Sequence, residues 1–152
     1  MLFRSLLERL GAVLAAGRTA ALYTSRGERL SGAGAARRQL GERLAAAMAR
    51  LAAALAGELG YLISKGGITS HTLLADGLGL ALLQLQGQLL PGLSLVLPAA
   101  SSGPAAGLPV LTFPGNLGEA GTLAEAWRWM ETGDGGAQEE SGHPRDWSQT
   151  AR

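Results

Sequence analysis

Two junctions of this sequence combine residue types suited to holding an anion. YLISKGGITS (residues 61–70) and VLTFPGNLGEAGTL (residues 110–123) each run from an apolar stretch through a glycine-rich turn into the start of a helix. A helix N-terminus presents backbone N–H groups that lack intrahelical partners, together with the positive end of the helix dipole, and both favour phosphate. Glycine lets the backbone approach the anion and take angles that other residues resist. In the first junction Gly66 and Gly67 supply that freedom, and Thr69 and Ser70 supply hydroxyls. The competing reading is a turn that only redirects the chain, with Thr69 as an N-cap. Neither junction matches G-x-x-x-x-G-K-[ST] or a strand-linked G-x-G-x-x-G, so the common phosphate fingerprints do not decide between the two.

Lys65 stands beside the first glycine pair. It is the only lysine among 13 basic residues. In a chain that otherwise writes its cations as arginine, a retained lysine marks a place where a compact ammonium suits better than a planar guanidinium, as in a tight phosphate turn. The alternative is chance. Arg26, in YTSRG, could reach the same anion, but taken alone its position favours an exposed arginine. His71 could face a ligand from the first turn of the helix, although a histidine there is more often structural, and His143 reads as solvated. With two histidines and no cysteine, neither a metal-ligand set nor a thiolate nucleophile can be assembled. No Ser/His/Asp arrangement can be argued either, so the catalytic residues stay unassigned.

The elements that must position these groups follow from the apolar spacing. Phe3, Leu6, Leu7, Leu10, Val13 and Leu14 lie on one face of an amphipathic helix, and Glu8 and Arg9 break any secretion signal there. TAALYTS (residues 19–25) reads as a short buried strand. A long Ala-rich helix over 35–56 carries a Leu40, Leu44, Met48, Leu51 and Leu55 stripe. Strands are expected at 60–64, 80–86, 93–99 and 109–113, and helices at about 69–76 and 122–130, where Trp127 and Trp129 should pack on the sheet. Strands alternating with helices predict a single α/β domain, a largely parallel sheet flanked by helices. The domain should run from 4 to 131. The segment 132–152, poor in apolar residues and without periodicity, reads as a disordered tail.

Composition narrows the class. The 152 residues suffice for one core, and the 23 glycines are about twice the usual share of ~7%. A net charge of +1 with no basic run argues against nucleic acid as a partner. The most apolar stretch, residues 44–64, is interrupted by Arg50 and Glu58, which argues against a membrane span. A cytoplasmic location is the expectation.

YTSRG, YLISKGGITSHTLLADGL, LQGQLLPGLSLV and GLPVLTFPGNLGEAGTL, in this order, resemble the C-terminal nucleotide-binding domain of the four-carbon acid sugar kinases, over about residues 5–131. That family phosphorylates acids such as threonate, erythronate or 3-oxo-tetronate with ATP, using an N-terminal domain for the acid and a C-terminal one for the nucleotide. The resemblance implies ATP contacts at Ser25, Gly66, Gly67, Ile68, Thr69 and Gly115. With Lys65, Ser70 and Asn116 these make up the expected binding set. Many members carry an acidic residue where this chain has Ile68, so the contact there would be through backbone alone, and the GGITS/FPGNLG pattern hints at a subgroup.

The resemblance further implies Mg2+ accompanying the nucleotide and a sugar-acid-binding domain, missing or separate, as partner. Homo-oligomerisation through the face that docks that domain is a second expectation. The leading reading is therefore the ATP-binding half of a sugar-acid kinase, not expected to turn over alone. Its alternatives are a non-catalytic nucleotide-binding or interaction module and a helical scaffold built on residues 35–56.

Overall fold

The computed structural model describes residues 2–24 and 34–133. In chain order these form α1 (Leu2–Ala15), α2 (Gly34–Leu55), β1 (Leu62–Lys65), α3 (Gly67–Thr72), which runs on into a π-helical turn over Leu73–Gly77, β2 (Leu83–Leu90), β3 (Leu93–Pro98), β4 (Val110–Phe113) and α4 (Thr122–Thr132). Ser25, Arg26, His143 and most of the expected tail lie outside the described residues.

The four strands make one sheet in the order β1-β4-β3-β2. The α/β architecture holds, and the sheet is mixed. β1 and β4 are parallel, while β3 runs antiparallel to both β4 and β2. The antiparallel half comes from the hairpin at Pro91-Gly92, where Gly92 takes a φ of 81°. Proline at the first corner and a left-handed glycine at the second suit a type II turn. A two-residue turn leaves no room for the crossover that parallel neighbours need.

Strand alternation sends side chains to two separate layers. Leu93, Leu95, Leu111 and Phe113 form a buried cluster with Ala126 of α4, and Ile63, Leu117 and Met130 pack around it. From β1, Ser64 faces the other way, and its hydroxyl accepts a hydrogen bond from Ser70 of α3 at 2.9 Å.

α2 packs on the π-helical turn through small residues. Its buried positions are Ala45, Ala49, Leu51, Ala52 and Leu55. Of the expected leucine stripe, Leu51 and Leu55 are buried, but Leu40 and Leu44 remain 41% and 39% exposed. The buried face is turned toward the alanines because Gly77 comes so close. A Cβ on Gly77 would lie 2.7 Å from the Ala49 carbonyl oxygen, a distance no side chain tolerates. Gly77→Ala should therefore destabilise the protein by about 1–3 kcal/mol, the usual cost of forcing atoms into a packed contact. A urea titration reads this directly.

Two further expectations are corrected. Residues 18–24 form no strand: the segment has no ladder partner, and Tyr23 is 84% exposed, so the apolar run is not buried. The strand expected at 80–86 begins three residues later, at Leu83, because Leu80 turns into a small cluster with Ala56 and Ala105 instead of joining the ladder. α1 matches its expectation, with all six named apolar residues half-buried on one face.

Candidate functional site

β1 and β4 are adjacent and parallel, with Lys65 level with Phe113. The two glycine turns that follow them therefore emerge side by side at the carboxyl ends of the strands, where open α/β sheets hold ligands. The Gly66 N–H donates to the Phe113 carbonyl at 2.8 Å. A Cβ placed on Gly115 would lie 3.6 Å from the Gly66 Cα, so the two turns are nearly in contact.

Gly66 has a φ of 106°, a value L side chains rarely adopt, and it forms the N-cap of α3. Its carbonyl accepts the Ser70 N–H at 2.8 Å, the first hydrogen bond of the helix. The N–H groups of Gly67, Ile68 and Thr69 thus fall in the first turn, where a helix supplies no partner of its own. A Cβ on Gly67 would meet nothing within 4 Å. Ile68 is 76% exposed. Thr69 stays near the turn, its Oγ1 3.7 Å from where a Gly66 Cβ would be.

Ser70 and Lys65 have partners that the spacing did not announce. Ser70 is buried, and its hydroxyl donates to the Ser64 carbonyl at 3.1 Å as well as to the Ser64 hydroxyl. It fastens α3 to β1. The Lys65 ammonium donates to the carbonyls of Pro114 and Leu117 at 3.1 and 3.3 Å, and it sits 3.8 Å from the centroid of the Phe113 ring. Lys65 therefore ties the first turn to the second.

Loop 114–118 is also held from below, since a Cβ on Gly92 would lie 2.8 Å from Leu117. The sequence reading missed Phe113, Leu117 and Gly92 as supports of the site. Parallel pairing of β1 with β4 is what brings them there, and no short-range pattern announces it. Asn116 is exposed on this loop, and His71 is exposed one turn along α3.

Away from the turns, one carboxylate oxygen of Glu131 accepts hydrogen bonds from the Thr19 hydroxyl, the Tyr61 hydroxyl at 2.6 Å and the Trp127 indole at 3.2 Å. The Thr19 bond is the main reason the Glu131 carboxyl is held below its ordinary range. Burial, helped by the Glu131 bond, pushes the Tyr61 phenol up to about 12. This cluster anchors the residues just after α1 to α4. Trp127, expected to pack on the sheet, is 42% exposed and serves this cluster instead. No group of three His, Cys, Asp or Glu able to hold a metal occurs among the described residues.

Residues 2–123 match the family model of the nucleotide-binding C-terminal domain. The chain belongs to that family. A crystal structure of a domain of unknown function from Bordetella bronchiseptica, a domain-swapped dimer with bound citrate, is similar at a TM-score of 0.57 and 26% identity. The match covers 81% of this chain and 30% of that one. A second crystal form of that protein gives a TM-score of 0.61 at 23% identity, over 84% and 31% of the two chains, and speaks to the fold alone. This nucleotide-binding C-terminal domain thus spans about a third of the length of those relatives. No curated protein matches it. Among its described residues no helix is long and apolar enough to cross a membrane.

The Lys65 tie carries a prediction. Lys65→Ala should lower nucleotide affinity by about tenfold, roughly the 1.5 kcal/mol expected for a hydrogen bond to a charged group. Titration calorimetry would show it. Unchanged affinity would mean that loop 114–118 holds its place without the lysine.

Proposed function

We propose that the chain is the ATP-binding half of a kinase acting on four-carbon sugar acids of the threonate, erythronate or 3-oxo-tetronate type. The observation that carries this reading is the near contact of the Gly66 and Gly115 turns at the ends of two parallel strands, within a nucleotide-binding family. The N–H groups of Gly67, Ile68 and Thr69, with the Thr69 hydroxyl, bind the ATP phosphates. Gly115 and Asn116 close the cradle from the second loop, and the family resemblance adds a contact at Ser25, which lies outside the described residues. Lys65 holds the two turns together and lends positive charge to the site.

The described residues do not suit a protein-held Mg2+: Ile68 has no donor side chain where many members place an acid, and no carboxylate cluster stands nearby. Any Mg2+ here would be carried by the nucleotide.

Phosphoryl transfer depends mainly on positioning and charge stabilisation. The acceptor oxygen must lie in line with the γ-phosphate, and holding both reactants so is worth about 7–11 kcal/mol of barrier. In this reading a sugar-acid-binding domain outside these residues performs that task, in keeping with relatives about three times as long. Self-association belongs to the same reading.

The test is ADP release by the chain with ATP and each acid, alone and with a sugar-acid-binding domain added. Acid-dependent turnover only on addition supports the proposal. Turnover at ordinary kinase rates of ~1–100 s⁻¹ by the chain alone would refute the division of labour. ATP binding without turnover in any combination would leave a non-catalytic nucleotide module.

A further inference from the structure

β2 lies at the edge of the sheet, and among the described residues no strand stands on the other side of its backbone. Edge strands of soluble proteins normally carry charge, above all lysine, to discourage pairing with another chain. Here the sequence contains no Asp, Glu, Lys, Arg or His from Gly77 through Gly118. The edge bears Leu82 and Leu85, 80% and 65% exposed, among glutamines. Apart from its two bulges, the strand carries no charge or proline that would keep its edge unpaired.

The sequence also points to a partner for that edge. Residues 82–90 read LLQLQGQLL and are nearly palindromic about Gln86. Laid antiparallel on a second copy with Gln86 opposite Gln86, Leu82 faces Leu90, Leu83 faces Leu89 and Gln84 faces Gln88. The single mismatch sets Leu85 against Gly87, which has no side chain to clash with it. Directly opposite side chains meet across paired strands, and no like charges oppose one another here. The ladder to β3 skips Gln86 and Leu89, so β2 is bulged. The first bulge falls on the axis itself, which leaves the segment before it and the segment after it to pair with each other across the two copies.

We propose that β2 pairs edge to edge with β2 of a second copy, antiparallel about a two-fold axis at Gln86, joining two four-stranded sheets into one. Such an interface is isologous and closes at the dimer. It specifies the self-association named above but does not depend on the nucleotide reading.

The absence of cysteine makes the register directly testable. Residues directly opposite in an antiparallel pair have Cα atoms about 4.5–5.5 Å apart, within the roughly 4.4–6.8 Å that a disulfide spans. Gln86→Cys should therefore cross-link to itself on mild oxidation, whereas Gln84→Cys, which faces Gln88 of the other copy, should not. In sedimentation velocity the unmodified chain should be a dimer. Leu85→Lys should weaken that dimer at least tenfold while its circular dichroism and ATP affinity stay unchanged. A chain that is monomeric at every concentration would overturn the proposal. So would a dimer that survives Leu85→Lys, or a cross-link formed by Gln84→Cys and not by Gln86→Cys.

Discussion

Gly67→Val should lower ATP affinity by at least about a hundredfold, equivalent to about 2.7 kcal/mol, and leave the melting temperature unchanged or slightly raised. The two halves of this expectation have separate grounds. Among the described residues, nothing beyond its chain neighbours and its own helix backbone lies within 4 Å of a Cβ at this position, so the new side chain starts into the space in front of the turn. If that space holds phosphates, the isopropyl group displaces them and blocks the first-turn N–H groups. Valine is also a slightly better helix former than glycine, so the first turn of α3 gains rather than loses. Gly66→Val is the contrasting variant: at a φ of 106° any side chain is strained, and it should lose stability and binding together. Gly11→Ala, in the interior of α1 with open space around it, should gain up to about 1 kcal/mol and leave ATP affinity untouched.

Leu111→Ala should cost about 2–5 kcal/mol of folding stability, the range found when a buried leucine is truncated and its cavity only partly collapses. Leu111 is fully buried on β4, between β1 and β3, and it packs with Leu93, Leu95 and Phe113 beneath Ala126 of α4. Set against a typical total of about 5–15 kcal/mol, this loss approaches unfolding, and a urea transition would show it. Because β4 also carries the 114–118 loop, ATP affinity should fall with it at temperatures where the fold loosens.

The sequence was most legible where local chemistry decides structure. The periodicity of α1, the glycine pair that opens α3 and the Pro91-Gly92 turn each act over a few residues, and the structure shows a helix, a helix start and a hairpin turn there. It was least legible where partners are distant. TAALYTS has the composition of a buried strand, yet residues 18–24 find no ladder. The α2 stripe was read from its leucines, whereas the close approach of Gly77 to Ala49 selects the alanine face. At the turns, the backbone freedom of the glycines was legible because it is a local property. The partners of Lys65 and Ser70 were not. Lys65 reaches carbonyls 49 and 52 residues away, and Ser70 turns inward to Ser64. Only the parallel pairing of β1 with β4 shows a charged residue beside a glycine turn to be a tie between turns.

The central claim is that the Gly66 and Gly115 turns together form a nucleotide cradle. Titrating ATP into the isotopically labelled chain, with amide chemical shifts followed by NMR, tests it most directly. Saturable one-to-one binding is predicted, with the largest shifts at Gly66, Gly67, Ile68, Thr69, Gly115 and Asn116 and none at β2. A folded chain whose amides do not move with ATP, or move only away from those two turns, would contradict the claim.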